Sequence, residues 1–353
     1  MMTDDLARRF AFHARIYAGD GGTNSSPLYA ALSAAIANDP AILALVQHAD
    51  RHTQVSNLLF AAVHDLLLAG ADHLLRAFYA SLTQNPGLPA EAYPVFRAFC
   101  LQHATAITER VATQRVQTNE VGRCSTLLPA FGLVAQCTDN RPLALIEIGA
   151  SAGLNLHWDR YGYDYGSAGR VGDPAAPVQL VCWVEDSAHR LPISGVMPMV
   201  VGRIGIDLHP ITLDDPAATR WLQALIWPEQ TDRARLLEAA LATARSHPVT
   251  ILAGDAAERL PDAVAQLPTE ATLCVYHSYT LNQCPPPVRT AILQAIDTLA
   301  QTRPLWRVSL EWFAGQPRPQ LELYAPSNGA ARSIRLAECE SHGRSIAWQH
   351  SDV

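Results

Sequence analysis

The stretch that decides the fold reads Leu143-Ala-Leu-Ile-Glu147-Ile-Gly149-Ala-Ser151-Ala-Gly153-Leu-Asn155-Leu156. Its first half is mostly apolar, as in a buried β-strand, and its glycine-spaced second half is typical of a turn that opens a helix. Such a turn allows the backbone to approach a ligand closely and points the N–H groups of the helix at an anion. The stretch therefore predicts a ligand-binding turn at the carboxyl end of a strand.

Composition and charge set the broad class of the protein. The chain has 353 residues, of which 49% are hydrophobic and 17% are charged, as expected for a globular protein with one large or two ordinary domains. Its net charge of −7 argues against a nucleic-acid partner and against an anionic membrane surface. The first residues lack a basic region followed by an apolar core and no apolar run has the length of a membrane span, so we expect neither a signal peptide nor a membrane segment. The seven cysteines form no C-x-x-C pair. We therefore expect a cytoplasmic protein with reduced thiols and no metal site.

Lysine is absent from the chain, so all 26 basic residues are arginine. This excludes the enzyme classes whose chemistry depends on a lysine side chain. They include P-loop nucleotidases of the Walker A type, Schiff-base enzymes and enzymes with a Ser-x-x-Lys nucleophile pair.

Residues 1–140 have apolar side chains at three- and four-residue spacings, which predicts a helical N-terminal domain that covers the site. Its helices are expected at residues 26–38, 40–49, 54–70, 90–114 and 121–138. Thr118 or Asn119 can cap the last of these helices. The polar residues around them, Gln117 and Arg123 included, could equally line a pocket.

From residue 141 onward, strand-like runs alternate with helical ones, which predicts an α/β domain over residues 141–353. Strands are expected at residues 143–148, 198–206, 248–253, 271–277, 305–312, 319–325, 332–338 and 344–349, and helices at about 215–246, 256–266 and 286–302. The first five strands should form a parallel sheet, and the last three should run antiparallel. Residues 157–197 interrupt the alternation and predict an added hairpin.

Ligands of open parallel sheets bind outside the carboxyl ends of the strands. Five strand ends supply the candidates: Glu147-Ile-Gly149, Asp207-Leu-His209, Gly254-Asp255-Ala256, His277-Ser-Tyr279 and Glu311-Trp312. Asp207 is placed to accept hydrogen bonds from ribose hydroxyls, and Asp255 can meet an adenine amino group. Gly149 and Gly153 would let the backbone approach the amino-acid part of such a nucleoside ligand.

The order of these motifs resembles the class I methyltransferases that use S-adenosylmethionine (SAM). More narrowly, the chain is identified as a member of an uncharacterised bacterial family, domain of unknown function 2332. Five stretches carry this resemblance: Gln117-Thr-Asn-Glu120, Glu147-Ile-Gly-Ala-Ser-Ala-Gly-Leu-Asn-Leu156, Gly205-Ile-Asp-Leu-His-Pro210, Trp221-Leu-Gln-Ala-Leu-Ile-Trp-Pro-Glu229 and His277-Ser278. The methyltransferase resemblance implies a Rossmann-like sheet, mostly parallel with an antiparallel end, after an all-helical N-terminal domain.

The resemblance also implies SAM as the cofactor and a role for the residues at the strand ends. The cofactor-binding residues are expected to be Glu147, Gly149, Ala150, Ser151, Gly153, Asn155, Asp207, Leu208, Asp255 and Ala256. His277 is the candidate catalytic base, because an imidazole with an ordinary pKa of about 6.5 removes protons at neutral pH. Contacts to a small-molecule acceptor are expected from Gln117, Asn119, Arg123, Trp158, Tyr161, Ser278 and Tyr279.

Two other interpretations stay open. Gly149-Ala-Ser-Ala-Gly153 also matches the G-x-S-x-G nucleophile elbow of α/β-hydrolases, with Ser151 as the nucleophile, Asp255 as an acid and His277 or His342 as the base. Helices rather than strands are predicted before Ser151, and no His-Gly-Gly loop precedes it, which disfavours a hydrolase. A non-catalytic protein that binds SAM or a nucleotide is compatible with every motif.

Overall fold

The computed structural model describes residues 2–19, 25–49, 54–185, 190–193, 195–326 and 332–350. Ahead of the first strand, the described residues form seven α-helices: α1 Met2–Ala18, α2 Pro27–Ile36, α3 Pro40–Ala44, α4 Val55–Leu68, α5 Ala92–Gln102, α6 Ala104–Thr113 and α7 Cys124–Cys137. The remaining elements follow in the order β1 Leu143–Ile148, β2 Gly162–Asp164, β3 Arg170–Val171, β4 Gln179–Val181, β5 Trp183–Val184, β6 Val200–Asp207, α8 Pro216–Ala224, α9 Thr231–Ser246, β7 Thr250–Ala253, α10 Ala256–Ala265, β8 Thr272–Ser278, α11 Pro286–Thr302, β9 Leu305–Glu311, β10 Gln320–Ala325, β11 Arg332–Cys339 and β12 Ser345–Trp348.

Three helices begin where the sequence places a capping residue before a proline. Ser26, Asp39 and Asp215 precede α2, α3 and α8, and each side chain accepts a main-chain N–H group from the first turn of its helix. A proline at the first helical position costs nothing, because the N–H group that it lacks would have no partner within the helix. These boundaries are therefore set locally.

Three of the predicted helices are shorter than expected or are broken. The helix predicted at 40–49 ends at Ala44, and the one predicted at 90–114 is interrupted at His103, whose φ of −108° and ψ of 24° are not helical. The helix predicted at 215–246 is two helices, α8 and α9. Pro228 lies in the break between them, and proline can neither donate a hydrogen bond nor fit in a helix interior.

The chain forms two compact units. The first comprises residues 1–118 and 214–235, and the second comprises residues 119–213 and 236–353. This division differs in two places from a boundary after residue 140. Helix α7 goes with the strands, and α8 goes with the N-terminal helices.

The first unit has an aromatic core that includes α8. Tyr29 and Phe60 stack with their ring centres 4.2 Å apart, and Trp221 of α8 belongs to the same apolar cluster. Asp65 of α4 is buried, and its Oδ1 accepts a hydrogen bond from Arg220 of α8 at 2.7 Å. A segment about a hundred residues away in the sequence thus completes this unit through apolar packing and an ion pair.

The second unit is built on a nine-stranded sheet in the order β5-β12-β11-β10-β9-β8-β1-β6-β7. The five strands from β9 to β7 are parallel to their neighbours. Strands β10, β11 and β12 pair antiparallel along the chain, as the sequence predicted, and β5 adds a short parallel pairing to β12. The protein is therefore a mixed α/β structure with a large, mostly parallel sheet.

Strand β1 lies inside this sheet and is buried along its whole length. Ala144, Ile146 and Ile148 point to one face and pack against apolar residues of α10 and α11, such as Leu260 and Ile292. The alternate residues of β1 point to the other face. Burial on both faces explains why β1 reads as a nearly continuous apolar run.

The region 157–197 is more elaborate than the single hairpin predicted for it. It begins within a 3₁₀ helix, Leu154–Arg160, and β2, β3 and β4 form a separate sheet in the order β3-β2-β4. Strand β3 pairs antiparallel with β2, but β4 pairs parallel with it. Residues 186–189 and 194 of this region lie outside the described residues.

Candidate functional site

The turn after β1 has the left-handed backbone that its glycines predict. Gly149 and Gly153 have φ angles of +76° and +73°, and Ser151 between them has a φ of +54°. Residues with a side chain seldom adopt this conformation, so the surroundings must hold Ser151 in it. The turn leads into the 3₁₀ helix Leu154–Arg160, so the helix expected after the turn is present in 3₁₀ form.

Packing within the protein explains why residues 149 and 153 are glycine. A Cβ atom on Gly149 would lie 2.2 Å from Thr280 Oγ1, well inside contact distance. A Cβ atom on Gly153 would lie 3.1 Å from the side chains of Val249 and Ile251. Thr280 therefore occupies the space beside Gly149 in which the sequence predicted a ligand.

Most N–H groups of the turn already have acceptors within the protein. The bonds run from Gly149 N to Ile206 O (2.8 Å), Ala150 N to Ile206 O (3.1 Å), Ser151 N to Asp207 Oδ2 (2.8 Å), Gly153 N to Ala150 O (2.7 Å) and Leu154 N to Asn119 Oδ1 (3.0 Å). An anion could take these groups only by breaking bonds within the protein. The backbone of Ser151 is thus engaged, whereas its buried hydroxyl has no hydrogen-bond partner among the described residues.

Asp207 ties the turn to the two neighbouring strands. Its Oδ2 accepts the Ser151 N–H group, and its Oδ1 accepts the His209 N–H group at 2.8 Å. Its main-chain carbonyl accepts the Gly254 N–H group, just after β7, at 2.9 Å. One residue therefore joins the carboxyl ends of β1, β6 and β7.

The other predicted residues at these strand ends differ in exposure. Asp255 Oδ1 accepts the Ala257 N–H group at 2.8 Å and so caps α10. Ala256 is buried, whereas Leu208 is 62% exposed and follows Asp207 directly. Asp255 therefore has a structural role as a helix cap, and Leu208 leaves an apolar surface beside Asp207.

Glu147 is a buried carboxyl group on β1, two residues before the turn. Glu147 is 2% exposed, and its Oε2 accepts a hydrogen bond from the Tyr276 hydroxyl of β8 at 3.1 Å. Burial raises the pKa of Glu147 to about 8, although hydrogen bonds from Tyr276 and Asn155 act in the opposite direction. At neutral pH the carboxyl group is therefore mostly protonated.

His277, near the end of β8, forms a buried pair with Glu311 at the end of β9. The distance from His277 Nδ1 to Glu311 Oε1 is 2.7 Å. Burial acts to raise the pKa of Glu311, but the hydrogen bond and charge of His277 and the N–H groups of Leu281 and Asn282 outweigh it and lower the pKa. An ionised carboxylate can only accept, so Nδ1 of His277 carries the proton. A ring that carries only this proton has its free lone pair at Nε2.

Nε2 of His277 is buried and has no hydrogen-bond partner among the described residues. The neighbouring Ser278 Oγ is in the same situation. Most buried polar atoms in proteins are paired, so unpaired atoms on two consecutive residues at a strand end are unusual. A bound molecule that reaches this strand end would supply a partner for His277 Nε2.

The predicted capping of the helix after residue 120 is wrong in its details. Asn119 does not cap it, because its Oδ1 accepts the N–H group of Leu154 instead. The short 3₁₀ helix Val121–Arg123 comes first, and Glu120 caps it by accepting the Gly122 N–H group at 3.3 Å. Asn119 thereby holds the residue that follows the glycine turn.

Of the predicted acceptor contacts, Arg123 and Tyr279 lie together in the second unit. The Arg123 guanidinium carbon is 3.8 Å from the ring centre of Tyr279, which has a φ of +54° and directly follows Ser278. A cation over an aromatic face is an attractive contact. Gln117 belongs to the first unit.

Trp158 and Tyr161 are fully buried in the second unit. Trp158 stacks on Phe131 of α7 with the ring centres 4.6 Å apart, and the Tyr161 hydroxyl donates to the Leu154 carbonyl at 2.6 Å. Trp158 thus packs from within the 3₁₀ helix, and Tyr161 binds back to it from the next residue. Their described contacts are those of structural residues.

Three residues important to the site were given no role from the sequence. Glu311 orients His277, Thr280 fills the space beside Gly149, and Tyr276 donates to Glu147. Glu311 had a usable signal, since it is an acid at a strand end like Asp207. Thr280 and Tyr276 had none, because their roles depend on which strands become neighbours.

The fold and the site define an α/β protein with a polar, partly unpaired set of side chains at the carboxyl edge of a parallel sheet. The chain belongs to the family described as "Uncharacterized protein conserved in bacteria (DUF2332)", whose model matches residues 12–348. Neither the curated proteins nor the solved structures contain a match to it. Among the described residues, no helix has both the length and the apolar character needed to cross a membrane.

Proposed function

We propose that the protein is a SAM-dependent methyltransferase that acts on a small acceptor. One observation carries the proposal. The glycine turn after β1 is tied by Asp207 to the carboxyl end of the adjacent β6, and through the same residue to the end of β7. An acid next to a glycine turn is the arrangement with which Rossmann-like sheets hold a nucleoside and its ribose.

The strand order supports this proposal. Strands β6 and β7 lie on one side of β1, and β8 and β9 lie on the other. Strand order therefore reverses between β1 and β8, and ligands of doubly wound sheets bind in the crevice at such a point. The turn, Asp207 and His277 all lie at this edge of the sheet.

Four residues would hold the cofactor in this proposal. Asp207 would accept ribose hydroxyls, and Leu208 and Asp255 would contact the adenine ring and its amino group. Since the N–H group of Ser151 is engaged, its unpaired hydroxyl would serve a polar group of the amino-acid part. SAM itself would supply the chemistry, a methyl group on a positively charged sulfur.

His277 would act as the base that removes a proton from the acceptor. Glu311 keeps the proton of the ring on Nδ1, which leaves Nε2 to accept one. Glu311 would thus be a positioning residue, since it acts through His277. Exclusion of water and alignment of the acceptor would provide the rest of the rate acceleration, because little other protein chemistry is required.

A serine hydrolase receives less support. Ser151 Oγ and His277 Nε2 both lack a hydrogen-bond partner among the described residues, so they are not bonded to each other. The acid paired with His277 is Glu311, which gives the chain order Ser, His, acid instead of the order Ser, acid, His of α/β-hydrolases. A non-catalytic SAM-binding protein would share the cofactor site and differ only in the lack of methyl transfer.

Calorimetric titration with SAM and with S-adenosylhomocysteine tests the cofactor site. Asp255→Asn removes a charge but keeps a residue that caps helices well, and we expect it to weaken binding about tenfold or more. Asp215→Asn is the matched control, because Asp215 caps α8 through the same contact at the same 2.8 Å distance. It should bind SAM like the wild type. Absence of SAM binding by the wild-type protein would refute the proposal.

Transfer of a radiolabelled methyl group from SAM to a metabolite extract separates an enzyme from a binder. We expect His277→Asn to bind SAM normally and to transfer at least tenfold more slowly, with the deficit shrinking as pH rises and the acceptor deprotonates without help. SAM binding without transfer to any fraction would favour the non-catalytic interpretation. Labelling of Ser151 by a fluorophosphonate would favour the hydrolase.

A further inference from the structure

A polar cleft lies at the opposite end of the sheet from the proposed SAM site. It has a volume of about 380 Å³ and is lined by the first residues of β6, residues 248–250 before and at the start of β7, and four basic side chains. These are His157, Arg160, Arg203 and His247. The cleft belongs entirely to the second unit and is large enough for a small metabolite.

His157 provides the strongest sign that this cleft has a ligand. It is fully buried, it lines the cleft, and neither of its ring nitrogens has a hydrogen-bond partner among the described residues. Burying a polar group without a partner costs free energy, so such groups are rare in folded proteins. A ligand in the cleft that accepts a hydrogen bond would satisfy this ring.

The charges around the cleft favour a negatively charged ligand. Arg160 is exposed and forms no ion pair with the described residues. Arg203 is bound to Asp159 through two bonds of 2.7 and 2.9 Å, so this pair adds little net charge. His247 donates from Nδ1 to the Thr243 carbonyl at 3.1 Å, which leaves Nε2 for other partners.

The backbone of β6 adds further polar groups. Its pairing with β7 begins at Ile204 opposite Thr250, although β6 itself begins at Val200. The edge of β6 that faces away from β1 is therefore unpaired with β7 over residues 200–203. An unpaired strand edge presents N–H and C=O groups, and these residues line the cleft.

We propose that this cleft binds a small oxyanion, of the kind carried by a phosphate-bearing metabolite, between His157, Arg160 and His247. The proposal is independent of the SAM site at the other end of the sheet. Arg160 supplies a fixed positive charge, and His157 supplies a buried donor. The Arg203–Asp159 pair holds the 3₁₀ helix that carries His157, because Arg203 also donates to the Leu156 carbonyl at 2.8 Å.

Binding should be coupled to proton uptake. Burial and the positive charges of Arg203, Arg160 and His247 lower the pKa of His157 to about 4, while Asp159 acts in the opposite direction. A bound anion would add negative charge beside the ring and raise this pKa. The affinity for the anion should therefore increase as pH falls.

NMR titration of the histidine ring signals with sulfate tests the proposal, because sulfate does not titrate between pH 5 and 8. We expect the signals of His157 to shift saturably and its pKa to rise with sulfate present. Inorganic phosphate and acetate, added in parallel at fixed pH, distinguish a phosphate-bearing ligand from a carboxylate. Saturable shifts with either anion support the site, and tighter binding of phosphate identifies the proposed ligand class.

Arg160→Ala should weaken sulfate binding about tenfold and leave the fold intact, since its side chain is exposed. Arg170→Ala is the control, because it removes the same charge from another exposed position of the second unit. Equal weakening by both variants would show general charge attraction and overturn the proposal. Unchanged His157 signals at high sulfate concentration would overturn it as well.

Discussion

Glu147 is a buried acid whose ionisation is unfavourable in the folded protein. It occupies a strand position whose neighbours Ile146 and Ile148 are apolar, and it is as buried as they are. Hydrogen bonds from Tyr276 and Asn155 do not fully compensate for the loss of water, so its pKa is raised. A buried acid of this kind makes the stability of the protein depend on pH.

We expect the free energy of unfolding to fall as pH rises from about 5 to 9. The pKa of Glu147 is raised from 4.5 to about 8, so its favourable contribution is complete below pH 4.5 and is lost as pH rises through about 8. Each pKa unit corresponds to about 1.4 kcal/mol, which makes the change several kcal/mol. Glu147→Gln should remove most of this pH dependence in urea denaturation series, whereas Glu238→Gln at an exposed site should preserve it. An unaltered slope in Glu147→Gln would contradict the assignment.

Gly149→Ala should destabilise the protein by about 3 kcal/mol, because the new Cβ atom would collide with Thr280 in addition to the strain of a positive φ. Gly315→Ala measures the strain alone, since Gly315 has a φ of +88° and nothing within 4 Å of its Cβ position. That control should cost about 1 kcal/mol. Combining Gly149→Ala with Thr280→Ala should cost less than the sum of the single changes. Additive costs in thermal denaturation would show that Thr280 is not the obstacle.

At the scale of elements, Glu311 organises the turn that follows β8. Its carboxylate accepts the N–H groups of Thr280, Leu281 and Asn282 at 3.0 to 3.1 Å as well as the His277 ring. Four donors on one buried carboxylate fix both the turn and the orientation of His277. The end of β9 therefore determines the geometry at the end of β8.

Glu311→Gln should lower the free energy of unfolding by about 3 kcal/mol at pH 7. The four donors now share two carboxylate oxygens, whereas the amide of glutamine has only one acceptor oxygen. The pKa of Glu311 is lowered in the folded protein, so its contribution is present above the unfolded pKa of 4.5 and is lost as pH falls through the folded value. The difference between variant and wild type should therefore shrink between pH 5 and pH 2. Denaturant titrations across this range, with Glu270→Gln as an exposed control, measure it. A difference that is constant with pH would rule out the ionised carboxylate.

At the scale of the whole molecule, the first unit is discontinuous in sequence. Residues 214–235 contribute Trp221 to its apolar cluster and Arg220 to the buried Asp65. Glu229 of the same segment accepts the Ser26 hydroxyl at 2.7 Å and the Leu28 N–H group at 3.0 Å. These contacts are missing from any fragment that ends at residue 118.

A fragment of residues 1–118 should therefore unfold without a cooperative thermal transition, as followed by circular dichroism. Joining residues 214–235 to it through a flexible linker should restore a cooperative transition, because the joined segment supplies the missing packing and ion pair. The same fusion with Trp221→Ala serves as control, and its stability should be lower by about 3 kcal/mol or more. A cooperative transition in the short fragment alone would show that the segment is dispensable.

The sequence by itself determined the order of the elements and most of their bounds. Apolar periodicity, capping residues before proline and glycine at positive φ are local features, so the eight main strands and the start of helices such as α2, α8 and α10 could be predicted from them. The strand ends that gather at one edge of the sheet could be predicted too, because parallel strands leave the sheet on the same side. Asp207 and His277 were selected in this way.

Only the tertiary structure decided what each of these residues touches. Thr280 faces Gly149, Asn119 holds Leu154 at a separation of 35 residues, and Glu311 orients His277 at a separation of 34. Such pairings depend on which strands become neighbours and in what register, and a local pattern does not contain that information. The turn after β1 was therefore recognisable from its glycines, whereas the engagement of its N–H groups within the protein emerged only from the packing of β1 between β6 and β8.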